Sequence, residues 1–379
     1  MRQRLIDARC WVIKIGSTLL TNNGRGLDLA LINQLTTQIA ALKQKGCDVL
    51  LVSSGSIAEG MVRLNLPERP TAVHHLQAAA AVGQMGLVQA YEAGFKQFDI
   101  NTAQILLTHE DLANRQRYLN ARSTLRTLLK YGIVPVINEN DTVTTDEIRF
   151  GDNDTLAALV ASLVSADVLV LLTDQLGLYD RDPRHHTEAT LLERADATDP
   201  AIRALAGPSG SHIGSGGMLT KILAAERAAL SGTTTIIASG AQEQILPRLA
   251  SGETLGTMLT SQQPVKDARK QWLAGQLRVR GSLHLDQGAC DQIRKRGSSL
   301  LPVGVTRVSG EFQRGALVAC LAPTGEEIAR GLVNYSHEQA GRLCGVSSEK
   351  IEVVLGYANE PELIHRDNLV VTCADPAGS

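Results

Sequence analysis

Residues Ile133 to Asp154 read IVPVINENDTVTTDEIRFGDND. An apolar run of strand type ends in Asn138, Glu139, Asn140 and Asp141, and a second polar knot, Gly151 to Asp154, opens an apolar helix. A strand buried on both faces cannot hold four polar side chains in its core without partners, so Asn138 to Asp141 are expected past its C-terminal end. In open α/β sheets that edge is where ligands bind. The stretch therefore predicts a parallel sheet and the place of its site together.

Outward from it, the same strand-and-helix unit recurs. Trp11 to Ile15 (WVIKI) is a short strand turned by Gly16, Ser17 and Thr18, and Asp28 to Lys45 has the apolar period of a crossover helix that Asp28 can cap. Asp48 to Val52 (DVLLV) runs into Ser53, Ser54, Gly55 and Ser56 before another helix. Thr71 to Phe95 is Ala-rich and helical, Ala103 to Leu107 is a third strand, and Asn120 to Lys130 is a helix that delivers the chain to Ile133. Leu156 to Val164 is helical, Val168 to Leu172 (VLVLL) is an apolar strand followed by Thr173 and Asp174, and Thr233 to Ala238 is the last strand of the unit. Strands separated by helices of this length imply right-handed βαβ units and hence an α/β fold with a parallel sheet.

A chain of 379 residues exceeds what one core usually holds, about 250 to 300 residues, so a second domain is expected. The βα rhythm stops in the polar stretch Ser261 to Lys270, which contains Pro264. This places a first domain at 1–262, a linker at 263–275, a second domain at 276–372 and a tail at 373–379. In the second domain Leu277 to Val279, Leu283 to Leu285, Gly304 to Val308, Ala316 to Leu321, Glu327 to Leu332 and Leu369 to Val371 are short strand-like runs broken by glycines, the punctuation of a small β-barrel. The formal charge of −2 gives no overall electrostatic reason to seek nucleic acid or an anionic membrane. No apolar run reaches spanning length and no signal-peptide core follows the N-terminal arginines. Six scattered cysteines without a CxxC pair argue against a disulfide framework and a zinc site, and for reduced thiols in a cytoplasmic protein.

The ionisable residues point to anion chemistry. Lys14, between Ile13 and Ile15, is costly in a strand unless it reaches a ligand or a carboxylate, or else belongs to an edge strand open to water. Ser54 and Gly55 can donate to a carboxylate or phosphate, though Ser54 can equally cap a helix. Asp141, Asp152 and Asp154 can hold lysines, a substrate ammonium or a metal, or merely close turns. Residues Gly207 to Lys221 read GPSGSHIGSGGMLTK, a Gly-rich loop entering a helix, which offers backbone N–H groups and Lys221 to an anion. The spacing fits neither a P-loop nor a dinucleotide fingerprint. Phosphoryl transfer to a carboxylate suits this mixture: cations and N–H groups stabilise the moving charge, and an ionised acceptor needs no general base. His74, His75, His185 and His186 read as structural or solvent-exposed.

These residues carry a resemblance. VIKIGSTLL (Val12 to Leu20), VSSGSIAEG (Val52 to Gly60), YLNARSTL (Tyr118 to Leu125), IVPVINENDTV (Ile133 to Val143), FGDNDTLAA (Phe150 to Ala158), LLTDQLGLY (Leu171 to Tyr179), GSGGMLTK (Gly214 to Lys221) and RGSSLLPVGV (Arg296 to Val305) span nearly the whole chain. In this order they resemble the bacterial glutamate 5-kinases, a branch of the amino-acid kinase family with a C-terminal PUA domain. The resemblance implies a three-layer αβα sandwich followed by a small β-barrel, and ATP-dependent phosphorylation of the γ-carboxylate of L-glutamate with Mg2+ on the nucleotide. By motif, Lys14 and Lys221 would stabilise the moving phosphoryl group and Asp154 would orient them. Ser54, Gly55, Asn138, Asp141, Asp152 and Asn153 would form the glutamate side. Lys14, Thr173, Asp174 and the segment Ser215, Gly216, Gly217, Met218, Leu219, Thr220 and Lys221 would hold ATP. Ser56 departs from the family's usual alanine. Feedback inhibition by proline, a homo-oligomer and a handover to glutamate-5-semialdehyde dehydrogenase are further implications. A PUA domain also raises RNA binding, which the charge of the region from Gln276 onward, 11 basic against 12 acidic residues, disfavours.

Overall fold

The computed structural model describes residues 2–21, 26–144, 153–205, 217–260, 279–358 and 360–372. The linker at 263–275, the tail at 373–379, Asp152, Ser215, Gly216 and most of the Gly-rich loop lie outside the described residues. The chain forms two compact units, Met1–Leu112 with Ala121–Ala268, and Ala113–Asn120 with Arg269–Ser379.

The first unit is built on β1 (Cys10–Ile15), β2 (Asp48–Ser53), β3 (Thr102–Leu107), β4 (Val134–Glu139), β5 (Val168–Thr173), β6 (Arg194–Asp196), β7 (Thr234–Ser239) and β8 (Thr257–Thr260). They form one sheet in the order β3-β4-β2-β1-β5-β7-β8-β6, parallel throughout except between β7 and β8. Two of these strands, β6 and β8, extend the sheet beyond Thr233 to Ala238, which is therefore not the last strand of the unit. At three and four residues they carry too little periodicity to stand out. The main helices are α1 (Leu29–Gln44), α2 (Ser56–Arg63), α3 (Val73–Lys96), α4 (Arg115–Lys130, of which the residues from Ala121 onward belong to this unit), α5 (Asp154–Val164) and α6 (Met218–Ala229). Asp28 caps α1 as expected, its carboxylate accepting from the backbone N–H of Leu31 at 3.0 Å.

The period-two alternation of β1 sorts its side chains between two layers. Trp11, Ile13 and Ile15 join one core with Leu35 and Ile39 of α1 and Leu87, Tyr91 and Phe95 of α3. Lys14 therefore points to the opposite face, where α5 and α6 pack on each other and α5 on β1. Because β1 pairs with β2 on one side and β5 on the other, it is a central strand, and the reading of Lys14 as an edge lysine fails. The connection from β1 leads to β2, whereas β5 returns on the other flank. That reversal is the switch point at which doubly wound sheets open a crevice.

Helices α2 and α3 touch through their backbones. A methyl group on Gly83 would stand 1.8 Å from the Ser56 carbonyl oxygen, and one on Gly60 would stand 1.7 Å from that of Ala79. Only glycine permits this approach.

The second unit carries β9 (Gly281–Leu285), β10 (Val305–Gly310), β11 (Leu317–Leu321), β12 (Glu327–Leu332) and β13 (Leu369–Val371) in one sheet, ordered β10-β9-β11-β12-β13. Its pairings are antiparallel except between β9 and β11. Leu283, Val305, Val318, Ile328 and Tyr335 lie in a core of its own.

Candidate active site

Lys14 leaves the end of β1 into a buried cluster. Its Nζ lies 2.5 Å from Asp154 Oδ1, and Lys221 Nζ lies 3.2 Å from Asp154 Oδ2. Asp154 is fully buried, and Lys14 and Lys221 are 3% and 4% exposed. Asp154 is the first residue of α5, where the helix dipole favours a carboxylate. Thr220 Oγ1 adds a hydrogen bond to Asp154 Oδ2 at 2.9 Å. Burial alone would raise the Asp154 carboxyl, but the two ammonium groups prevail and hold it down at about 2. The carboxylate thus stays ionised and keeps two lysines side by side, a concentration of positive charge suited to a trianionic transferring group.

On one side of this cluster opens a cavity of about 300 Å³ whose wall includes Lys14, Thr173, Asp174, Tyr179, Arg184 and Lys221. Gly217 and Met218, at the start of α6, border it too. Thr173 ends β5, and its hydroxyl donates to Asp174 Oδ1 at 2.9 Å. Gly16, Ser17 and Thr18 line the same cavity from the start of a short helix, Ser17–Leu20, that follows β1 where a turn was expected. Sequence reasoning missed Tyr179, Arg184 and Leu205 here, although Tyr179 stands at the end of the quoted LLTDQLGLY stretch.

On the other side the ends of β2 and β4 meet the N-terminus of α5. Asn138 and Glu139 are the last two residues of β4 and are buried, not past its end as expected. The physical argument against burying them holds only for polar groups without partners, and Asn138 has four. Its Nδ2 donates to Gln84 Oε1 at 2.8 Å and to Ser56 Oγ at 3.3 Å. Its Oδ1 accepts from Asn153 Nδ2 and from the Glu139 N–H, both at 2.9 Å. Asn153 occupies the N-cap position of α5 yet sends its side chain inward, where Nδ2 also donates to the Ser53 carbonyl at 2.9 Å and Ser54 Oγ at 3.1 Å. Ser54 thus serves this network rather than capping α2. That place belongs to Gly55, whose φ of 102° needs glycine. Asp141, past the strand, takes a long hydrogen bond from Ser56 Oγ at 3.5 Å, so the unusual Ser56 links Asn138 to Asp141. Beneath, Ser53 Oγ meets the buried Tyr91 hydroxyl at 2.9 Å. Gln84 and Tyr91 carried no sequence signal of a site, whereas Ser53 stood in the polar run and the motif that end the second strand. His74, His75, His185 and His186 are exposed and belong to neither side.

The two sides define a phosphotransferase: a buried cluster of amides and hydroxyls and a cavity of about 300 Å³ flank two lysines held by one carboxylate. Residues 9–239 match the model of the amino acid kinase family and residues 281–355 that of the PUA domain. The glutamate 5-kinase of Thioalkalivibrio sulfidiphilus is 59% identical over 98% of this chain and 99% of its own. That of Stutzerimonas stutzeri is 58% identical over 98% and 100%, and that of Chromohalobacter salexigens 60% over 98% and 98%. The chain belongs to the amino acid kinase family, in its PUA-bearing glutamate 5-kinase branch.

Proposed function

We propose that this protein transfers the γ-phosphoryl group of ATP to the γ-carboxylate of L-glutamate, giving L-glutamyl 5-phosphate and ADP in the first step of proline biosynthesis. The observation that carries the reading is the Lys14–Asp154–Lys221 cluster between the amide network at the ends of β2 and β4 and the cavity beside Thr173 and Asp174. A carboxylate oxygen attacks the γ-phosphorus as the bond to the β-phosphate oxygen breaks, and the electron pair leaves with ADP. No proton moves, so no base is required. Lys14 and Lys221 bind the non-bridging oxygens on which charge accumulates, and Asp154 fixes their spacing. Ser54, Gly55, Asn138, Asp141 and Asn153, with Asp152, form the glutamate side. Thr173, Asp174 and the segment from Ser215 to Lys221 form the ATP side.

Magnesium arrives with the nucleotide and neutralises phosphate charge when bound. Asp174 offers the hard oxygen donor on the cavity wall that suits such an ion. We assign the kinase domain to 1–262, the linker to 263–275, the PUA domain to 276–372 and the tail to 373–379. The remaining assignments are a cytoplasmic homo-oligomer, feedback inhibition by proline, handover of the labile acyl phosphate to glutamate-5-semialdehyde dehydrogenase, and no RNA bound by the tail domain. Among the described residues no helix is long and apolar enough to cross a membrane.

The test is ADP release with Mg-ATP in the presence of hydroxylamine, comparing L-glutamate, N-acetyl-L-glutamate and no acceptor. Turnover with L-glutamate alone, trapped as the γ-hydroxamate and reduced by proline, is expected. Turnover only with the acetylated acid overturns the substrate assignment, and none with either overturns the activity.

A further inference from the structure

Gln84 lies on α3 next to Gly83, where α3 meets α2 at backbone distance. It is 7% exposed, in a helix otherwise buried through alanine, glycine and large apolar side chains. Its Oε1 accepts from Asn138 Nδ2, and its Nε2 has no hydrogen-bond partner among the described residues. A polar side chain held this deeply, with one end engaged and the other without an acceptor among the described residues, is costly in a helix whose job is only packing.

The carboxamides of Asn153, Asn138 and Gln84 form a relay with one polarity. The Ser53 carbonyl only accepts, so it fixes which end of Asn153 faces it. Asn153 Nδ2 and the Glu139 N–H only donate, so together they fix Asn138 with Oδ1 toward them. Asn138 Nδ2 is thereby turned toward α3, where Gln84 Oε1 is its short acceptor and Ser56 Oγ its longer one. We infer that Gln84 is a positioning residue for the acceptor substrate, holding the Asn138 amide in the orientation that in turn holds Asn153 and Ser54. The inference rests on the assignment of Asn138, Asn153 and Ser54 to the glutamate side. The glycine contact between α2 and α3 is what lets Gln84 reach.

The experiment uses the full chain with Gln84→Met, close in shape and without an acceptor for Asn138, and with Gln84→Ala in parallel. With Mg-ATP saturating, KM for L-glutamate is expected to rise about ten-fold in both variants, while KM for ATP stays within about two-fold. A purely structural role would lower the active fraction, and so the apparent kcat, and leave both KM values alone. In an Asn138→Ala background Gln84→Met is expected to add no more than about two-fold, because its effect travels through Asn138. A parental glutamate KM in both variants overturns the inference, as does full additivity with Asn138→Ala. An unsubstituted protein that does not turn over L-glutamate overturns the substrate assignment instead, and this inference with it.

Discussion

Asp154→Asn tests the heart of the site. The substitution keeps the shape of the side chain and removes a charge that lies 2.5 Å from Lys14 Nζ and 3.2 Å from Lys221 Nζ. Two ammonium groups, each at least nine-tenths buried, then lose the carboxylate they share. Removing one partner of a buried ion pair costs about 3–5 kcal/mol, chiefly through the charge left behind. At about 2–4 °C per kcal/mol for a unit of this size, the first unit should melt roughly 6 to 20 °C lower. Nucleotide phosphates supply the missing negative charge, so the deficit should shrink by at least half in saturating ATP, through binding that favours the folded form. Turnover should fall by about a hundred-fold or more, because the lysines lose their spacing although the nucleotide still binds. Differential scanning fluorimetry with and without ATP, in a buffer free of phosphate and sulfate, gives the comparison. A variant that melts with the parent in the absence of anions, or that is equally destabilised with ATP, refutes the account of Asp154 as the tether of two buried cations.

Lys221→Ala leaves Asp154 paired with Lys14, so the fold should persist while kcat falls by about 10² to 10³, as for loss of one charge-stabilising donor; near-parental turnover would remove Lys221 from the chemistry. The Asp154 carboxyl titrates at about 2, below its ordinary 3.8, so the stability it supplies is complete above the unfolded value and drains as pH falls toward the folded one. The pH profile of kcat/KM should accordingly show no acid limb from this group between about pH 6 and 9, and acid-unfolding curves of Asp154→Asn should be flatter than the parent's below about pH 4. A limb near neutrality that the substitution abolishes would contradict this. Gly83→Ala places a methyl 1.8 Å from the Ser56 carbonyl and should lower the urea midpoint by an amount equivalent to about 1–3 kcal/mol, whereas Gly341→Ala, meeting nothing within 4 Å, should match or raise it. Equal midpoints for the two would mean that α2 and α3 do not meet as described.

Lys14 was legible because a lone lysine inside an apolar strand is a local contradiction, and a central position in the sheet turned it from a surface charge into a buried one. The end of β4 was misplaced for an instructive reason. Asn138 looks too polar for a strand interior because the groups that satisfy it, Gln84, Ser56 and Asn153, come from 54, 82 and 15 residues away. Periodicity reports which side chains are polar and says nothing of who meets them. Gln84 was invisible for the same cause: in an alanine-rich helix one glutamine resembles a solvent-facing position until the sheet is assembled above it. The strands β6 and β8 escaped because their pairing, rather than their composition, makes them strands.

The lysine cluster also bears on the direction of the reaction. Two lysines and the carboxylate they share stand where the phosphoryl group would cross, and the transfer itself moves no proton. Such a device has no preferred sense. It stabilises the same in-flight phosphorus whether the oxygen behind it belongs to ADP or to the acid. An acyl phosphate offered with ADP should therefore be discharged into ATP by the same residues, and net flow in either direction is governed by how quickly the unstable anhydride is carried away.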